Sequence, residues 1–166
     1  MLTTGVARLR DWLLPEEDYG RRVGLQPLPT RIPKRVLVIE DDLALSTVID
    51  RVLQSLDPSV EVDWAVTEEE ARERVMARAE EDPGQPYQLI FTDIFLGGPR
   101  TGLDFWRWCQ RIYPDLPLVV TSGLATDRFY DALGAGEVGP PYLPKPFTVD
   151  ECYDLLVGVL NYDAAP

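Results

Sequence analysis

The chain has 166 residues, 45% of them apolar, which is enough for one hydrophobic core and points to one domain with a tail. It contains no histidine, which argues against histidine-based catalysis and zinc chemistry. No run approaches the roughly 20 apolar residues that cross a bilayer, and the N-terminus lacks a signal-peptide core, so a cytoplasmic protein without membrane contact is expected. The net charge of −12 is uneven: residues 1–35 hold seven Arg/Lys against four Asp/Glu, leaving nine against twenty-four in the remainder. Such an acidic body repels nucleic-acid backbone and leaves DNA contact to the short basic arm alone.

Residues 1–33 read as an extension. Val6, Leu9, Leu13 and Leu14 make a short amphipathic pattern stopped by Pro15, and Pro27, Pro29 and Pro33 then break up a linker carrying Arg21, Arg22 and Arg31. The body, residues 34–162, alternates strand and helix patterns. Arg35 to Ile39 is a continuous apolar strand, and Leu45, Val48, Ile49, Val52, Leu53 and Leu56 follow at helical spacing. A second strand, Val60 to Trp64, leads to Thr67 and Glu70, whose spacing makes a capping box for a helix to about Glu81. The third strand, Gln88 to Asp93, precedes a glycine-rich loop and a helix with Phe105, Trp106, Cys109, Ile112 and Tyr113 near one face. The fourth, Leu116 to Ser122, precedes a short helix around Ala125 to Leu133. A fifth near Tyr142 runs into Pro144-Lys145-Pro146, and Thr148 with Glu151 caps a last helix with Cys152, Leu155, Leu156, Val159 and Leu160 inward. The proline places this strand at a sheet edge. Both cysteines, Cys109 and Cys152, fall in helical apolar patterns and are expected as buried thiols.

Five βα units with apolar strands predict an α/β fold: a parallel sheet covered by helices on both faces, flavodoxin-like in strand order 2-1-3-4-5, with its ligand site beyond the carboxyl ends of the strands. Those ends carry Glu40, Asp41 and Asp42 after the first strand, Asp93 after the third, Thr121 and Ser122 after the fourth, and Lys145 after the fifth. Neighbouring strands lie about 4.8 Å apart, so the carboxylates from the first and third converge; a hard divalent cation such as magnesium relieves their repulsion. Lys145, one of two lysines in the chain, can span the roughly 10 Å between the third and fifth strands. This is an inventory suited to phosphoryl transfer.

Over residues 34–160 these motifs resemble the receiver domain of two-component response regulators, in the single-domain form of the chemotaxis regulators. Val36-Leu37-Val38-Ile39-Glu40-Asp41-Asp42 resembles the family's first strand with its acidic pair, Leu89-Ile90-Phe91-Thr92-Asp93 the strand ending in the phospho-acceptor, and Pro144-Lys145-Pro146-Phe147 its lysine-proline signature with a cis bond. The resemblance implies Asp93 as acceptor, with Lys145, Ser122 and Thr121 assisting, and magnesium held by Glu40, Asp41, Asp93 and the Phe95 backbone carbonyl. Ser122 and Tyr142 would form the switch, with Tyr142 turning inward on phosphorylation. The partners implied are a sensor histidine kinase or histidine phosphotransfer protein, a downstream protein target, and a second copy in a homodimer; the only catalysis is the chain's own phosphoryl transfer and dephosphorylation. Phe95 and Leu124 would flank the path of the hydrolytic water. The acceptor loop from Leu96 to Gly102 is a residue longer than usual. Because the chain stops soon after the last helix, a stand-alone receiver whose output is binding is expected. The alternatives are a non-phosphorylated scaffold of the same fold and a phosphoaspartate-type hydrolase, which normally carries an Asp-x-Asp where Asp93-Ile94-Phe95 stands.

Overall fold

The short apolar runs of β-type pattern become strands because they are bounded by turn chemistry and, away from the sheet edges, can bury both of their faces. The computed structural model describes residues 32–134 and 136–162; the amphipathic segment, the linker and nearly all of the extension over 1–33 lie outside them. The strands are β1 (Arg35–Ile39), β2 (Glu61–Ala65), β3 (Leu89–Asp93), β4 (Leu118–Ser122) and β5 (Tyr142–Pro144). The helices are α1 (Leu43–Leu56), α2 (Glu68–Glu81), α3 (Gly102–Ile112), α4 (Thr126–Leu133) and α5 (Val149–Tyr162). All pairings are parallel and the sheet order is β2-β1-β3-β4-β5, the flavodoxin-like order predicted. β5, with Pro144 at its end, is an edge strand, where a missing N–H breaks no ladder.

Alternation along β1 divides the core in two. Val36 and Val38 pack with Ile49, Val52 and Leu156 beneath α1 and α5, while Leu37 and Ile39 pack with Ala71, Val75, Phe105 and Phe129 beneath α2, α3 and α4. Cys109 and Cys152 are free and buried, one on each side, and burial pushes both thiols up to about 12. Among the described residues no helix is long and apolar enough to cross a membrane.

Helix starts follow their caps. Asp42 Oδ1 accepts from the Ala44 and Leu45 amides at 2.8 and 3.3 Å, and the Thr148–Glu151 box closes in both directions. At α2 only half of the expected box forms: Thr67 accepts from the Glu70 amide, but the Glu70 carboxylate turns to the Val66 amide, one residue earlier. A closed box at α3, between Thr101 and Asp104, was not anticipated. Three strands start later than predicted, at Glu61, Leu89 and Leu118, and at two of them the first amide is already used: Val60 N–H bonds Asp57 in a turn and Leu116 N–H bonds Tyr113, with Pro117 offering none. Ile112, expected inward, is 49% exposed in the last turn of α3, where the chain is already leaving the sheet.

Candidate functional site

Register brings the polar strand ends together. Ile39 pairs with Thr92 across β1 and β3, so the residues that follow, Glu40 and Asp93, emerge side by side; Asp93 pairs with Thr121, and Ser122 with Pro144. The Lys145 amide donates to the Ser122 carbonyl at 2.7 Å, which tucks the β5 end against β4, and the Lys145-Pro146 bond is cis as the resemblance implied. From there Lys145 Nζ donates to Asp93 Oδ2 at 2.7 Å and to Glu40 Oε2 at 2.9 Å.

Glu40 is 3% exposed and Asp93 6%, while Asp41 faces solvent, so the pocket is walled on one side and open on the other. Burial pushes the Glu40 carboxyl above its ordinary value, against the lowering pull of Lys145 and of the Asp42 amide. Burial alone would lower the Lys145 ammonium, but the hydrogen bonds and charges of Asp93 and Glu40 outweigh it and raise it. A lysine held protonated beside a carboxylate is suited to receiving a further concentrated negative charge. Glu40, Asp41 and Asp93 each offer a carboxylate oxygen within 4.8 Å of the others, a hard-oxygen donor set open to solvent that fits a divalent cation of the magnesium class.

Asp93 is fixed by its surroundings. Its Oδ1 accepts from the Phe95 amide at 3.2 Å, and its backbone oxygen accepts from Thr92 Oγ1 at 2.9 Å. Gly102 closes on it from behind: a Cβ there would lie 1.9 Å from the Asp93 backbone oxygen, so only glycine fits. That role escaped the sequence reading, whose available signal was a glycine standing where a helix must begin directly behind a strand end. The long acceptor loop is pinned by a bridge from Gly97 to Thr67, with Gly98 at φ 98° supplying the turn.

The two hydroxyls at the end of β4 part company. Thr121 Oγ1 is fully buried and donates to the Leu143 carbonyl at 2.7 Å, a bond that ties β4 to β5. Ser122 Oγ lies 2.9 Å from the Tyr142 hydroxyl and accepts from the Leu124 amide at 3.0 Å. Tyr142 faces inward, 4% exposed, its ring stacked on Phe129 at 4.0 Å and its hydroxyl donating to the Leu124 carbonyl at 2.6 Å. Burial first, and then the Asp93 charge, raise the Tyr142 hydroxyl above its ordinary value against the opposing bond from Ser122.

Comparison with known proteins points to one family. Residues 36–156 match the family model described as the response regulator receiver domain. The chain is 31% identical over 132 residues to the DNA-binding transcriptional regulator NtrC of Azospirillum brasilense, an alignment covering 79% of this chain and 25% of that protein. Among solved structures, the response regulator receiver protein of Sinorhizobium medicae superposes with a TM-score of 0.62 at 23% identity over 77% of this chain and 94% of that one. The response regulator PhyR of Brucella abortus superposes with a TM-score of 0.58 at 21% identity, over 78% of this chain and 49% of that one. The chain thus spans a quarter of one relative and about half of another. With the fold, the strand-end acids and the family match in agreement, the chain belongs to the response regulator receiver domain family.

Proposed function

We propose that the chain accepts a phosphoryl group on Asp93 from the phosphohistidine of a sensor kinase or histidine phosphotransfer protein, and that the modified form binds a downstream protein differently. The observation that carries this reading is Lys145 Nζ held between Asp93 and Glu40 at 2.7 and 2.9 Å on a rim of three converging carboxylates. In the transfer, a carboxylate oxygen of Asp93 bonds to phosphorus as the bond to the donor imidazole nitrogen breaks, in line. Glu40, Asp41 and Asp93, with the Phe95 carbonyl, would hold magnesium, whose chemistry is to neutralise charge on phosphoryl oxygens. Lys145 stays protonated and pairs with the arriving phosphoryl oxygens, while the Phe95 amide orients the acceptor carboxylate.

Ser122 then has two competing partners. Its hydroxyl now meets Tyr142, and a phosphoryl group on Asp93 offers it a charged acceptor instead. Turning to that acceptor would leave Tyr142 held by the Leu124 and Ser122 carbonyls alone and re-set the surface of α4, β5 and α5. Retention of Glu40, Asp41, Asp93, Ser122 and Lys145 in one pocket favours phosphorylation over a purely scaffolding role.

Incubating the chain with magnesium and a small acyl-phosphate donor should add the mass of one phosphoryl group, stable to acid and labile to base. Asp93→Asn should take up none; full labelling of that variant would refute the assignment.

A further inference from the structure

Three glutamates open α2, and one of them, Glu68, turns inward: helical spacing puts it on the face of Ala71, Arg72 and Val75, and its side chain is fully buried. A carboxylate is buried in this way only where cations reach it. Arg72 Nε donates to Oε1, and its guanidinium lies 4.9 Å from the centre of the Trp108 ring, which joins α2 to α3. Glu68 Oε2 accepts no hydrogen bond among the described residues. The cation facing it is Arg100, half exposed, with Nη1 3.8 Å away.

Arg100 belongs to the acceptor loop, which leaves and re-enters the pocket at Asp93. Phe95 N–H bonds Asp93 Oδ1 at one end; at the other, Gly102 N–H bonds the Ile94 carbonyl and its Cα presses on the Asp93 backbone. In between, the first turn of α2 holds the loop, through the Thr67–Gly97 bridge and Glu69 beside Gly98. Glu68 and Arg100 add a charged tie two residues before Gly102. We propose that Glu68 is a positioning residue for phosphoryl transfer, a role that rests on the reading of Asp93 as acceptor. Through Arg100 it fixes the acceptor loop, and with it the Phe95 peptide whose amide orients the acceptor carboxylate. Charge-assisted bonds between guanidinium and carboxylate run to about 2.8 Å, so a movement of about 1 Å gives the orphan oxygen its donor. A misplacement of that size at a reacting group is enough to slow transfer by roughly tenfold or more.

The test times labelling by magnesium and a small acyl-phosphate donor, well below each variant's thermal transition so that every molecule counted is folded. Arg100→Met and Glu68→Gln should each label roughly tenfold more slowly than the parent chain, and their combination no slower than the slower single. Arg100→Lys, which keeps the cation, should recover most of the rate. Arg107→Met, which removes an equal charge from α3 by breaking the pair with Glu137, should label as the parent does. The sign of the Glu68 effect separates positioning from steering. If Arg100 only attracts the anionic donor, Glu68→Gln labels as fast as the parent or faster, and that result overturns the proposal. So does a double variant whose slowing is the product of the two singles. Should Glu68→Gln fail to fold, the Phe95 amide resonance of Arg100→Met decides without any phosphorylation. It should move from its parent position while that of Arg107→Met does not, and an unmoved Phe95 amide overturns the proposal. A parent chain that takes up no phosphoryl group overturns the phospho-acceptor reading instead.

Discussion

At the scale of single residues, the positions two beyond Asp93 and two beyond Ser122 are both apolar. Phe95 is 59% exposed beside Asp93, and Leu124 is half-buried beyond Ser122. Neither side chain can hydrogen-bond a water and orient it at the acyl phosphate, so slow self-dephosphorylation is expected. Exchanging both, Phe95→Asn with Leu124→Glu, should speed phosphate loss after donor removal, and an unchanged decay rate would contradict the role. A second residue-scale expectation concerns Asp63 on β2, which accepts from Tyr87 at 2.7 Å and from Arg78 at 3.0 Å. Burial pulls the Asp63 carboxyl up, but the Arg78 and Tyr87 bonds prevail and hold it below the usual carboxylate range. A lowered folded-state value means the ionised group stabilises the fold fully above its unfolded value, near 3.9, and that this contribution fades as pH falls through the folded one. Asp63→Asn should therefore cost about 1–3 kcal/mol at pH 7, measured by urea unfolding, because Tyr87 and Arg78 lose a charged acceptor. The gap between the two proteins should hold down to about pH 5 and close below about pH 4. A gap undiminished at pH 3 would show that the charge of Asp63 is not what stabilises.

At the scale of elements, α3 is the piece whose seating matters most to the pocket. Its first residue, Gly102, donates its amide to the Ile94 carbonyl at 2.9 Å and lies flat against the backbone of Asp93. Because the clashing atom is main chain, a side chain at that position cannot be accommodated by a rotamer change; the helix or the strand end must move. Gly102→Ala should cost about 1–3 kcal/mol in thermal or urea unfolding and slow phosphorylation of Asp93 as well. An alanine variant with parent-like stability and labelling would mean that the loop yields easily. The closed box of Thr101 and Asp104 argues that it does not, since the turn is bonded on both sides at the point where movement is required.

At the scale of the whole molecule, the contrast is between an acidic receiver body and a basic arm. The described residues build a core on both faces of the sheet. Removing residues 1–30 should therefore leave the thermal transition and Asp93 phosphorylation intact while altering self-association or partner affinity, read by sedimentation and pull-down. Failure of the shortened chain to fold would place the arm in the core.

Much of this was legible in the sequence, because the deciding signals are local. Apolar runs, helical periodicity, caps such as Asp42 and Thr148, and residues closing each strand are read within a few positions of one another, and alternating βα units leave few ways to order a parallel sheet. That order then carries Glu40, Asp93 and Lys145 to a single rim. What only the tertiary structure decided is which partner each polar group takes, because partners distant in sequence compete for it. Thr121 and Ser122 are adjacent and chemically alike, yet alternation on β4 turns one hydroxyl to the Leu143 carbonyl and the other toward Tyr142. Tyr142 faces inward because Phe129, thirteen positions earlier, offers it a ring to stack on. Arg72, Arg100, Arg107 and Arg111, drawn from α2, the acceptor loop and α3 itself, meet Asp104, Trp108 and Glu137 on one surface only once those segments pack together.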